Sequence, residues 1–132
     1  MKFPEDCLDT RQHEWVRVLA EKKTALVGIT DYAQKELGDV VFVELPKVGD
    51  TFDTNEPFGN VESVKAVSEV FCPLAGEVLE VNPDLVDSPE LVNSDPYGDA
   101  WFIKLKITNP EEINDLLKPD EYSELVVEES AE

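Results

Sequence analysis

Histidine is almost missing from this chain, with His13 the single one in 132 residues. Cysteine is nearly as scarce. Cys7 and Cys72 stand far apart with no C-x-x-C pair, so neither a disulfide framework nor a Cys/His zinc site is expected. Cys72, just before Pro73 in an apolar stretch, reads as a buried, inert thiol. The six glycines, at 28, 38, 49, 59, 76 and 98, form neither G-x-G-x-x-G nor a phosphate loop. His13-Glu14-Trp15-Val16-Arg17 starts like a zinc-protease helix, yet arginine takes the place of the second ligand. A Ser-His-Asp triad is spatial and leaves no local trace, but no nucleophile elbow occurs. A small chain without catalytic motifs reads as a carrier or binding module.

Bases are also few. Eleven Lys and Arg against thirty Asp and Glu give a net charge of −19. Nucleic acid is excluded as a partner, because binding it needs clustered cations against phosphates. The acidity can instead steer the protein toward basic surfaces on larger partners. No apolar run approaches the ~18 residues of a membrane span. The start, Met1-Lys2-Phe3-Pro4-Glu5-Asp6, has no signal-peptide core, so a cytoplasmic protein is expected.

What is present is mostly strand. Val16–Leu19 and Thr24–Ile29 read as strands around a polar Glu21-Lys22-Lys23 turn. Thr30 caps a short helix, Asp31 suits its positive end, and Gly38 stops it. Val40–Leu45 is the strongest strand, ended by Pro46. A hairpin from Phe58 to Phe71 and a strand at Gly76–Asn82 follow, then an irregular stretch from Pro83 to Asp99. In Trp101–Ile107, Ile103, Leu105 and Ile107 alternate with Lys104 and Lys106, the pattern of a half-solvated strand. Asn109-Pro110-Glu111-Glu112 has capping-box form and predicts a helix through Leu117. Pro119 opens a second, with Tyr122, Leu125 and Val126 at helical spacing and fraying from Glu128. These elements predict a β-rich barrel or sandwich. The chain 1–132 is expected to form one domain, with 109–132 an acidic helical extension packed on it.

One lysine has an unusual setting. In Glu62-Ser63-Val64-Lys65-Ala66-Val67-Ser68, Lys65 lies between apolar neighbours at the centre of the hairpin, six residues after Gly59 and eleven before Gly76. Such a hairpin presents an amine at its tip, as a protein does when a lysine is to be covalently loaded. An exposed lysine is not a desolvated Schiff-base catalyst, but a separate enzyme can acylate it. The acyl-lysine then swings between active sites at high effective concentration. An ordinary turn lysine is the competing reading.

Glu62-Ser63-Val64-Lys65-Ala66 and Pro73-Leu74-Ala75-Gly76-Glu77-Val78 closely resemble the lipoyl-attachment region of the glycine cleavage system H protein family. The resemblance spans almost the whole chain. His13-Glu14-Trp15-Val16, Gly28-Ile29-Thr30-Asp31-Tyr32-Ala33-Gln34 and Gly38–Pro46 are similar to further segments of that family, as is Asn93-Ser94-Asp95-Pro96-Tyr97-Gly98 before Trp101. Biotin carriers typically have methionines on both sides of the lysine, and 2-oxo acid dehydrogenase lipoyl domains typically have Asp before it. Val64 and Ala66 match neither.

The resemblance implies a barrel-sandwich hybrid of lipoyl/biotinyl carrier type, with a short helix after the second strand and C-terminal helices. It implies lipoate bound covalently to Lys65, with Glu62, Ser63, Val64, Ala66 and Ser68 forming the attachment hairpin and its recognition surface. It further implies a non-catalytic shuttle. Glycine decarboxylase (P-protein) loads the aminomethyl group of glycine onto the arm, an aminomethyltransferase (T-protein) collects the one-carbon unit, and dihydrolipoamide dehydrogenase (L-protein) reoxidises the dithiol. A lipoate ligase or octanoyltransferase would install the arm. The loaded arm carries a cation on a hydrolysable linkage, which a carboxylate in a dry cleft would hold and protect. Glu14 and Glu69 match acidic cleft positions of the family. Asp9, Gln12 and Glu36 depart from it, standing where an aromatic, a serine and, in some members, a histidine are found. A lipoate relay to other enzymes and an unmodified acidic binding module are the alternatives.

Overall fold

The computed structural model describes residues 1–19 and 23–130. The expected turn at Glu21 and Lys22 lies outside the described residues. Among those described, nine strands form two antiparallel sheets. The larger sheet runs β1 (Leu8–Asp9), β2 (Glu14–Val18), β3 (Thr24–Ile29), β9 (Ile103–Ile107), β8 (Gly76–Val81), β5 (Thr51–Phe52). The smaller runs β4 (Val40–Glu44), β6 (Pro57–Ser63), β7 (Val67–Phe71).

Strand alternation builds the core between the sheets. Val16, Val27, Ile103, Leu105 and Val78 of the larger sheet are buried against Val43, Val61 and Val70 of the smaller. Each such side chain contributes about 1.5–3 kcal/mol by leaving water. In β9, Lys106 is exposed between buried Leu105 and Ile107, as the pattern predicts. Trp15, fully buried, lies opposite Gly28 in the β2–β3 register and donates its indole N–H to the Pro96 carbonyl at 2.8 Å. A Cβ at Gly28 would sit 2.6 Å from that ring, so the glycine makes room for it.

Helix α1 (Asp31–Leu37) follows β3 and begins as its cap predicts, with Thr30 Oγ1 accepting from the Ala33 amide at 3.2 Å. It follows the third strand instead of the second, because the two-residue β1 precedes the strands that the sequence pattern reveals. The stretch Pro83–Asp99 is less irregular than expected: it contains two single-turn helices, α2 (Asp84–Asp87) and α3 (Leu91–Ser94). Neither has a side-chain cap, and the buried Leu85 and Val92 hold them to the core.

The C-terminal region also departs from its pattern. Asn109 caps as expected, but the segment is a 3-10 helix over Pro110–Asp115. Glu112 does not close a capping box, for its carboxylate accepts from Thr54 Oγ1 and from the Ala75 amide. Helix α4 (Pro119–Ser130) continues past the expected fraying point at Glu128. It packs through Tyr122, Val126 and Leu125 against Tyr32, Phe3 and Leu117. Asp9 and Leu117 exchange backbone hydrogen bonds of 2.9 and 2.8 Å, fastening the entry to α4 onto β1.

Candidate functional site

The β6–β7 hairpin ends at the pair Ser63–Ala66, where the Ser63 amide donates to the Ala66 carbonyl at 2.8 Å. Val64 and Lys65 are left as the turn. Two-residue hairpin turns ordinarily need φ > 0, which favours Gly or Asn. Neither Val64 nor Lys65 adopts it. Ser63 compensates: its hydroxyl accepts from the Lys65 amide at 3.3 Å and the Ala66 amide at 3.1 Å. Ser63 is buried although Val64, Lys65 and Ala66 are exposed. Its role is therefore to shape the turn from beneath.

The tip is also anchored from the side. Val64 donates its amide to the Asp39 carbonyl at 3.0 Å. Gly38, at φ 80°, ends α1 in the left-handed region, and a Cβ there would lie 3.5 Å from Lys65 Cε. Asn93 of α3 braces the same loop. Its amide group donates to Gln34 Oε1 and to the Gly38 carbonyl, and its oxygen accepts from the Val40 amide, all at 2.9 Å. Lys65 has no ion-pair partner among the described residues, so the tip holds its backbone firmly and leaves its side chain exposed.

Beside the tip is a cleft of about 190 Å³. The start of β2 supplies His13 and Glu14, α1 supplies Tyr32 and Glu36, and the hairpin supplies Val61, Ser68 and Glu69. Glu14 is 2% exposed and accepts from Thr10 Oγ1 at 2.7 Å and the Phe71 amide at 3.4 Å. Burial pushes its pKa from the usual 4.5 up to about 7, against the pull of those two bonds. Near neutral pH the carboxyl is thus poised between its two forms.

Glu69 is placed differently. It is exposed on the edge of β7, bordering this cleft but also the groove on the sheet's other face, beside Glu44 and Asn60. Its register partner is Asn60, whereas Ser68 pairs with the cleft-lining Val61. Strand alternation therefore aims Ser68 into the cleft more directly than Glu69. Glu62 pairs with Val67 and is exposed on the outer face. A larger cavity, about 460 Å³, lies between β1 and the 3-10 helix. It contains no hairpin residue, and its Glu112 is already committed to Thr54 and Ala75.

The family model for the glycine cleavage H-protein matches residues 8–129. The chain belongs to the glycine cleavage H-protein family. It is 52% identical over 128 residues to the glycine cleavage system H protein of Halothermothrix orenii, covering 97% of this chain and 98% of that one. Its identity to the Herpetosiphon aurantiacus protein of the same name is 54% over 127 residues, covering 96% and 95%. Its fold is similar to the crystal structure of a glycine cleavage system H protein from Mycobacterium marinum. The TM-score is 0.84 at 38% identity, over 92% of this chain and 96% of that one. The two-sheet architecture is thus the barrel-sandwich hybrid that the resemblance implied. Membership makes the chain the carrier component of the glycine cleavage system and not one of its catalysts. Among the described residues, no helix is long and apolar enough to cross a membrane.

Sequence reading missed three residues that support this site. His13, at φ 72°, lines the cleft, and its Nδ1 lies 2.8 Å from Tyr122 Oη. Its Nε2 lies 3.1 Å from Glu129. Tyr122 Oη is also 2.7 Å from Thr30 Oγ1, so α4, the cleft wall and the cap of α1 share one hydrogen-bonded chain. Asn93 is the third. Nothing in the local pattern marks these roles, because their partners are 53 to 116 residues away.

Proposed function

We propose that this chain is lipoylated on Lys65 and carries the aminomethyl group of glycine between the enzymes of glycine cleavage in the cytoplasm. Lipoate, joined to Lys65 through an amide, supplies a reducible disulfide able to accept that group on one sulfur. The observation that carries the reading is the exposed, unpaired Lys65 on a turn locked by Ser63 and Asp39, next to a cleft holding a buried acid. That arrangement fits the group: the amine is free to be acylated, and the Lys65 stem lies near Gly38, the neighbour of the cleft-lining Leu37.

Glu14 is the principal cleft acid in this reading. An ammonium brought beside it favours its ionised form, so the cation would draw the proton off Glu14 and gain a carboxylate partner. Ser68 and Glu69 line the entrance, and the apolar wall of Tyr32 and Val61 excludes water from the hydrolysable linkage. Glu62, Val64 and Ala66 present the hairpin to the lipoate ligase or octanoyltransferase that loads it. The partners are glycine decarboxylase, aminomethyltransferase and dihydrolipoamide dehydrogenase. Residues 109–132 act as an acidic extension of one carrier domain, bracing the cleft through Tyr122 and Glu129.

Glycine–bicarbonate exchange with a glycine decarboxylase tests the proposal. The lipoylated protein should support exchange, and Lys65→Arg should abolish it without lowering the melting temperature. Exchange that persists in Lys65→Arg, or is absent with the fully lipoylated protein, would rule the carrier role out.

A further inference from the structure

Thr10 stands directly behind the cleft acid. Its hydroxyl oxygen accepts from the Gln12 amide at 3.2 Å and from the Glu14 amide at 3.1 Å. A hydroxyl has two lone pairs and one proton. Both acceptor positions are therefore filled, and the proton is left for Glu14 Oε1, at 2.7 Å. The direction of that bond is thereby set: Thr10 donates and Glu14 accepts. The turn that carries the pair is closed by its own backbone. Thr10 donates its amide to the Glu14 carbonyl at 2.9 Å, and His13 donates its amide to the Thr10 carbonyl at 3.1 Å. Residues 11–13 thus form a three-residue hairpin loop between β1 and β2, whose last residue, His13, takes the left-handed conformation common in such loops. Thr30 donates its amide to the His13 carbonyl at 3.0 Å, which ties the loop to the start of α1. Thr10 is half-buried and lines the larger cavity, whereas Glu14 lines the arm cleft, so the donor reaches the carboxyl from outside the cleft.

We infer that Thr10 is a positioning residue for the loaded arm: its hydroxyl, a fixed donor behind Glu14, leaves the carboxylate's open lone pairs turned to the cleft, where they accept the arm's ammonium. This deepens the assignment of Glu14 as the acid that holds the loaded arm, and rests on it. The second oxygen, Oε2, accepts from the Phe71 amide at 3.4 Å. One donor on each oxygen fixes the plane of the carboxyl group, and the hydroxyl is the closer of the two. A donor to the ionised form also lowers the cost of burying that form. Of the two bonds that oppose burial at Glu14, the one from Thr10 pulls harder. Without it, Glu14 would keep its proton into the pH range where the ammonium needs a carboxylate partner. Among the described residues, no other side chain hydrogen-bonds Glu14. Ser68 donates its hydroxyl to the Glu69 carbonyl at 3.4 Å, and His13 uses both ring nitrogens on Tyr122 and Glu129. Thr10 thus sets the aim and the charge of the cleft acid without touching the arm.

The test begins with the intact apo-protein, in which NMR follows the titration of the Glu14 carboxyl carbon with no arm attached. Thr10→Val, which matches threonine in shape, should raise the Glu14 midpoint from about 7 by roughly one pH unit. Thr10→Ser, which keeps the hydroxyl, should leave the midpoint in place. The lifetime of the loaded arm is then read on the lipoylated, aminomethyl-loaded protein as formaldehyde and ammonia released. Thr10→Val should shorten it roughly threefold at pH ~7.5, following the fall in ionised Glu14, and Thr10→Ser should keep the wild-type lifetime. In the wild-type protein the Thr10 hydroxyl proton should exchange slowly enough to be seen and should shift with the Glu14 midpoint, a readout that needs no variant to fold. A Glu14 midpoint that does not move in folded Thr10→Val overturns the proposal, and so does a hydroxyl proton indifferent to the Glu14 titration. A shorter lifetime without a moved midpoint also overturns it, since that loss would come from a loosened turn. A moved midpoint with an unchanged lifetime shows that Glu14 does not hold the arm, which overturns the cleft assignment and the role of Thr10 with it.

Discussion

The amide of Val64 donates to the carbonyl of Asp39 at 3.0 Å, so the turn that displays Lys65 is fastened to the loop leaving α1. Asn93 braces that loop from α3, and Ser63 holds the turn from below. A flexible lysine on a rigid base is what a modifying enzyme can recognise by shape.

Ser63→Ala should loosen this base. It removes the acceptor for two amides, which are exposed enough to find water, so the stability loss should be about 1 kcal/mol. Acylation at Lys65 should slow more than stability alone would predict, because the turn loses its fixed geometry. Thermal melting and the rate of lipoate attachment, measured on one preparation, separate the two effects.

Glu14 and Asp9 both bind a proton more tightly in the folded state, burial raising each to about 7 from ordinary values of 4.5 and 3.8. The folded state keeps protons that the unfolded chain has already released. Stability is therefore full below the unfolded values, falls as pH rises from about 4 to 7, and levels off once both groups are ionised in both states. Asp9→Asn, at a position whose carboxylate has no hydrogen-bond partner among the described residues, should raise the melting temperature at pH ~8 by a few degrees. It should do little near pH ~4. Glu14→Gln should flatten the remaining slope. Urea midpoints across this pH range check both variants.

Tyr122→Phe cuts the link between His13, Thr30 and α4. The loss should be about 1 kcal/mol, since Thr30 Oγ1 keeps its bond from the Ala33 amide and the half-buried His13 keeps its contact with Glu129. Hydrogen exchange should quicken across 119–130 and at the start of β2, while the β8–β9 pair keeps its protection. Equal exchange in all three regions would contradict the linkage.

The periodic elements were legible because their signals are local. Thr30, Gly38 and the alternation in 103–107 each act within a few residues, and the helix and strands stand where those signals put them. Strands β1 and β5 were not legible, since two residues cannot show a period. The single-turn helices α2 and α3 are held by burial of Leu85 and Val92, which no cap announces. The capping box at Asn109 failed because Glu112 found stronger partners across the fold in Thr54 and Ala75. Within the site, the Lys65 tip could be anticipated from its flanking strands. Which of Ser68 and Glu69 faces the cleft depended on strand register, and the His13–Tyr122–Thr30 chain on tertiary packing.

The central claim is that Lys65 is a loaded residue. The most direct measurement is the intact mass of the protein from its native host, with peptide mapping across residues 57–71. The account predicts one lipoyl increment, located on Lys65. A bare Lys65, in a host whose other lipoyl proteins are fully loaded, would contradict it.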